Sequence, residues 1–265
     1  MVRYGRSALA AGLLLLWSFL ALPAHAETEV DLALVVAVDI SFSMDTEEQA
    51  LQREGFAQAF RSQLVHDAIR GGMLGKIAVT YMEWAGSADQ KVIIPWTVLD
   101  NSESLMAFAD KIASTPLRRA QRTSISSAID FSVKLQDESG VEATRRVIDV
   151  SGDGPNNQGR MVIQARDDAV AKGITINGLP IMLRKPGYLD IPELDVYYKD
   201  CVIGGQGAFT VPVRERDQFI EAIKTKILLE VAGLTPAAPL ITRIQDVPRS
   251  NCLSGEMQWR DRWNN

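Results

Sequence analysis

The chain has 265 residues, 46% hydrophobic and 23% charged, with 28 Lys and Arg against 33 Asp and Glu for a net charge of −5. An acidic balance of this size argues against nucleic acid or an anionic membrane surface as partner. The length suffices for one large domain with a full core.

Residues 1–26 differ in kind from the rest. Arg3 and Arg6 precede an apolar stretch that includes Leu13 to Leu16, and Ala24-His25-Ala26 fits a small-x-small cleavage site. This reads as a secretory signal peptide cut after Ala26. The apolar core is short for a spanning helix, and no Cys follows it to carry a lipoprotein anchor. The expected mature protein, of about 239 residues, is periplasmic or secreted. Without Arg3 and Arg6 it sets 26 basic against 33 acidic residues, a net charge near −7. In an exported chain, Cys201 and Cys252 are expected to form a disulfide that staples the C-terminal tail to the domain; two free buried thiols are the alternative.

Leu32 to Val38 is continuously apolar and Val-rich, which predicts a strand buried on both faces. Asp45 and Glu48 form a helix-capping pair, and Phe56, Phe60 and Leu64 recur at helical spacing until Gly71-Gly72. Lys76 to Trp84 and Lys91 to Leu99 read as an antiparallel hairpin. Glu103 to Ala113 is helical; a basic loop with Arg118, Arg119 and Arg122 then leads to Thr123. Ile125, Ile129 and Val133 mark another helix, and Arg146 to Val150 a strand that runs into Ser151-Gly152-Asp153-Gly154. A helix over Met161 to Ala171, a strand over Ile174 to Met182 and a last strand over Ala208 to Val213 follow. Phe219, Ile223 and Ile227 line a final helix, and Pro236, Pro239 and Pro248 predict an extended tail over 233–265 rather than a second domain. The domain proper is expected over 27–232.

Alternating strands and helices predict a doubly wound, mostly parallel α/β sheet with one antiparallel edge strand and helices on both faces. Ligands of such sheets bind beyond the carboxyl ends of the strands. Asp39-Ile40-Ser41-Phe42-Ser43 begins at such an end, and Asp153 lies at another. One carboxylate and two hydroxyls on alternate residues suit a hard cation, which prefers oxygen. Each piece has a plainer reading. Ser41, Ser43 and Thr123 could cap helices, and Asp153-Gly154 could be a turn.

Together, Asp39-x-Ser41-x-Ser43, Thr123 in a second loop and Asp153 in a third resemble the von Willebrand factor A domain family over roughly residues 30–230. Within it they are similar to an exported, DUF1194-like subgroup of Gram-negative bacteria. The resemblance implies a Rossmann-like fold and a metal-ion-dependent adhesion site (MIDAS) at Asp39, Ser41, Ser43, Thr123 and Asp153. The implied cation is magnesium, with manganese or calcium as substitutes. A protein partner's Asp or Glu would complete its coordination. Two departures stand out. Ser151-Gly152 precedes Asp153 where the family often has a bulkier residue and a hydroxyl, and Arg122 stands where a Gly commonly precedes the Thr. The three arginines could draw in an acidic partner or form a solvated loop. Asp149, inside a strand, is expected to face solvent at an edge or to pair with an Arg.

Enzymatic readings lack their residues. His66 is the sole histidine after the leader and sits on a helix, with no Gly-x-Ser-x-Gly and no phosphate-binding Gly-rich loop. A metal-dependent phosphohydrolase on a similar sheet would want a carboxylate where Ser41 stands, and a general base near the ion. It remains the alternative, beside an envelope module whose cation serves folding only.

Overall fold

Among the described residues, five strands form one sheet: β1 (Thr28–Asp39), β2 (Ile77–Trp84), β3 (Gln90–Leu99), β4 (Val141–Gly152) and β5 (Ile174–Pro180). Their order is β3-β2-β1-β4-β5, parallel except for β3, which runs antiparallel to β2 at one edge. The computed structural model describes residues 27–184, 187, 191–236 and 250–263. The leader with its cut after Ala26, and Pro239 and Pro248 of the tail, lie outside the described residues.

The apolar run of β1 occupies the centre of the sheet, and its period of two divides the core. Leu34, Val36 and Val38 pack with Phe56 and Phe60 of α1 (Thr46–Arg61), Phe108 of α3 (Ser102–Ser114), and Ile223 and Ile227 of α7 (Phe219–Ala232). Val35 and Ala37 face the other layer, with Ile125 and Ile129 of α4 (Ile125–Asp137) and Ala165 of α5 (Val162–Ala171). Tyr197, which ends the short α6 (Leu194–Tyr197), and the next residue, Tyr198, complete that layer. This is the doubly wound arrangement that the alternation predicts.

Four local expectations are corrected. The first long helix ends at Ser62, whose extended backbone (φ −70°, ψ 128°) separates α1 from α2 (Gln63–Arg70). The break resets the helical phase, so Leu64 is 65% exposed and Val65 enters the core instead. Ala208 to Val213 is not a strand of the sheet. It runs beside the end of β5 with isolated bridges, Gly178 with Thr210 and Ile181 with Val213, where Val211 and Val213 N–H donate to the Gly178 and Pro180 carbonyls without a continuous ladder. The tail is not extended throughout, since α8 (Ser254–Trp263) lies near its end. Finally, Asp149 does not face solvent, and among the described residues it pairs with no Arg. β4 is interior to the sheet, and Asp149 is buried against Lys226 of α7, which also pairs with Glu230.

A disulfide joins Cys201 to Cys252 with Cα atoms 5.5 Å apart, tying the segment before α8 to the turn after α6. Among the described residues no helix is long and apolar enough to cross a membrane.

Candidate metal-binding site

β1 and β4 are neighbours and end at the same sheet edge. Their register pairs Val38 with Ser151, which brings Asp39 beside Gly152 one residue later. The loop after β1 therefore faces the loop after β4, and the five singled-out residues gather around this edge. Ser41 N–H donates to Asp39 Oδ1 (2.7 Å), the Ser41 and Ser43 hydroxyls lie 2.7 Å apart, and Ser43 Oγ donates to Asp153 Oδ1 (2.6 Å). Thr123 arrives on the loop before α4. Its N–H donates to Asn157 Oδ1 (3.0 Å) and its carbonyl accepts from Asn157 N–H (2.8 Å). A cavity of about 280 Å³ is lined by Ser41, Ser43, Thr123 and Gly154, with Phe42, Pro155 and Trp259 around them.

The capping readings of the hydroxyls fall away. Asp45 caps α1 through a reciprocal box with Glu48 (2.8 and 2.9 Å). Ser124, rather than Thr123, caps α4 by accepting from Ser127 N–H. Ser41, Ser43 and Thr123 line the cavity instead.

Asp39 is fully buried, and among the described residues its Oδ2 has no hydrogen-bond partner. Burial, and next the charge of Asp153, raise its carboxyl well above the usual carboxylate range, with the Ser41 N–H and hydroxyl and the Asp153 N–H opposing the shift. A buried carboxylate oxygen left without a donor is costly unless a cation faces it. Two carboxylates with three neutral hydroxyls form an all-oxygen set of the kind that hard divalent cations take. Among the described residues no three His, Cys, Asp or Glu side chains gather as a metal cluster; the donors here are mostly hydroxyls.

Several residues at the site carry no local sequence signal. A Cβ on Gly152 would lie 2.8 Å from both Asp39 Oδ2 and Tyr198 Oη, so the absent side chain lets these groups approach. Tyr198 is buried, and its hydroxyl has no hydrogen-bond partner among the described residues. Burial, followed by the charges of Asp39 and Asp153, keeps that hydroxyl protonated far into the alkaline range. Arg184 pairs with Asp153 Oδ2 and, at 3.3 Å, with Glu48 Oε1. A carboxylate flanked by an unplaced arginine was not readable from spacing.

The basic loop divides its work. Arg118 pairs with Glu83 (3.2 Å) and Asp89 (3.0 Å), and Arg119 donates to the carbonyls of Phe42 and Met44 (both 2.8 Å), pinning the Asp39 loop. Arg122 has φ 75°, the only positive φ of a non-glycine among the described residues, at the position where the family commonly has Gly. Its guanidinium lies 3.6 Å from the ring centroid of Trp259.

Solved structures with the same fold include proximal thread matrix protein 1 of the mussel byssus (TM-score 0.57, 15% identity, 76% of this chain and 48% of that one), of which another crystal structure has a zinc-occupied MIDAS motif. The pilus adhesin SpaC of Lactobacillus rhamnosus GG matches at TM-score 0.56 and 11% identity, over 76% of this chain and 31% of that one. A von Willebrand factor type A protein from Catenulispora acidiphila matches at TM-score 0.52 and 12% identity, over 77% and 43%. The chain spans under half the length of each. These likenesses show the von Willebrand factor A fold. No curated protein matches the sequence. A family profile described as "Protein of unknown function (DUF1194)" matches residues 29–235, and the chain belongs to that family.

Proposed function

We propose that this is an exported docking domain. It holds a divalent cation, magnesium foremost with manganese or calcium as substitutes, through Asp39, Ser41, Ser43, Thr123 and Asp153. An Asp or Glu of a protein partner completes the coordination. The observation that carries this reading is the partnerless, buried Oδ2 of Asp39 beside the Asp153 carboxylate and three hydroxyls. Neutral hydroxyls leave the ion electrophilic toward one more anionic oxygen. The MIDAS motif named for the mussel protein and the adhesin description of SpaC support the same role.

We read the site as non-catalytic. His66 Nε2 is engaged with the Phe60 carbonyl (2.8 Å) on the α1–α2 side, leaving no histidine base at the sheet edge among the described residues. The signal-like leader over 1–26 and the Cys201–Cys252 disulfide support a periplasmic or secreted location.

Selection from a randomised displayed peptide library, in magnesium and in EDTA, tests the docking role. Enrichment of Asp or Glu in magnesium alone supports it. Equal enrichment in EDTA contradicts it. Turnover of phosphate esters that is lost in Asp39→Asn would favour a phosphohydrolase instead.

A further inference from the structure

We propose that α8 forms the second wall of the docking surface, and that it selects an acidic peptide in which a large apolar side chain flanks the metal-bound Asp or Glu. The inference rests on the cation-mediated docking above and names what that site takes.

α8 is held against the loop that carries Asp153. The Cys201–Cys252 disulfide anchors its approach, Ser250 N–H donates to Asp200 Oδ2 (2.9 Å), and Asn156 Nδ2 donates to Glu256 Oε1 (2.7 Å). A Cβ on Gly255 would lie 2.1 Å from the Asn156 carbonyl, so glycine permits the closeness of this contact. These ties set Trp259 on the cavity that Ser41, Ser43 and Thr123 line, and the cavity persists with α8 in place. The helix therefore walls the site and does not fill it.

The walls are apolar and the floor is polar. Phe42, 51% exposed, and Pro155 join Trp259 around the hydroxyls. A space of about 280 Å³ lies just below the range of pockets built for drug-sized ligands and suits one or two side chains. Charge complementarity favours an anionic segment. Arg122 lines the cavity under Trp259, and among the described residues no carboxylate pairs with it. An aromatic ring backed by a guanidinium is a common anchor at protein interfaces.

The test is the same library selection in magnesium, run on wild type and on Trp259→Ala. Wild type is expected to enrich Phe, Leu or Trp beside the acidic residue. Trp259→Ala is expected to keep the magnesium-dependent Asp or Glu and lose the apolar neighbour. A wild-type-selected peptide should bind the variant about tenfold more weakly, and reduction of the disulfide with dithiothreitol should weaken it likewise. An unchanged neighbour preference, or tighter binding after either change, overturns the inference and leaves cation-mediated docking intact. Apolar enrichment that depends on Trp259 without any magnesium-dependent acid would instead sink the docking reading and keep α8 as a surface. An equal magnesium-induced rise in Tm for both proteins verifies that the variant is folded.

Discussion

The hydroxyl of Ser43 donates a 2.6 Å hydrogen bond to Oδ1 of Asp153, 110 residues further along the chain. The other oxygen of that carboxylate pairs with Arg184. Asp153 thus meets the candidate cation position through a hydroxyl on one side and a fixed positive charge on the other.

That charge opposes an incoming divalent cation. Arg184 is half exposed, so its effect is screened, and Arg184→Ala is expected to tighten magnesium binding by about three- to tenfold, on the order of 1 kcal/mol. Titration calorimetry on the two proteins measures it. Weaker binding in the variant would mean that Arg184 orients Asp153 more than it competes.

Gly152→Ala places a methyl group 2.8 Å from both Asp39 Oδ2 and Tyr198 Oη. Both side chains are buried, so neither can swing away. A loss of about 1–3 kcal/mol in unfolding free energy is expected from the overpacking, together with weaker magnesium binding. Denaturant unfolding with and without magnesium reads both. Wild-type values would mean that the edge can yield.

Arg122 holds a left-handed backbone, φ 75°. Arg122→Gly and Arg122→Ala both remove the guanidinium from Trp259, but only glycine adopts that conformation without strain. Arg122→Gly is therefore expected to be more stable than Arg122→Ala by about 1 kcal/mol. Equal stabilities in urea would show that the loop relaxes out of the left-handed region in both variants.

The buried cluster of Asp149, Lys226 and Glu230 sets two acids beside one lysine. Burial, and next the Asp149 charge, push Glu230 up to about 8, with Lys226 opposing the shift; burial also raises Asp149, against the pull of Lys226. Asn177 Nδ2 donates to Glu230 Oε1 at 3.2 Å, and Arg145 bonds the Glu230 carbonyl at 2.9 Å. Between the ordinary Glu value of 4.5 and about 8, the folded chain binds a proton that the unfolded chain has lost. Stability is then full below that window and falls as pH rises across it, by up to about 1 kcal/mol per pH unit. Glu230→Gln is expected to flatten the decline of Tm between pH 5 and pH 8. A variant with the wild-type slope would place the proton elsewhere.

The mostly parallel sheet and its antiparallel edge strand were legible because each has a local cause. A continuous apolar run marks a central strand, and Asp39, Ser41, Ser43, Thr123 and Asp153 lie at strand ends or helix starts. What escaped depends on contacts made only by folding. Tyr198 reaches Asp39 through the turn after α6, Arg184 reaches Asp153 from beyond β5, and Trp259 reaches Arg122 through a disulfide-tethered helix. Leu64 failed because a break at Ser62 resets the helical phase, which periodicity alone does not register. Ala208 to Val213 has a strand-like pattern but meets β5 only through isolated bridges, which the pattern alone does not register. Asp149 looked anomalous because its partner, Lys226, lies on a helix 77 positions away.

Calorimetric titration of magnesium into wild type, Asp39→Ala and Ser43→Ala tests the cation site most directly. The expected result is one saturable site in wild type, none detectable in Asp39→Ala, and at least tenfold weaker binding in Ser43→Ala, with all three proteins folded by circular dichroism. Indistinguishable titrations for wild type and folded Asp39→Ala would contradict a cation held at this sheet edge.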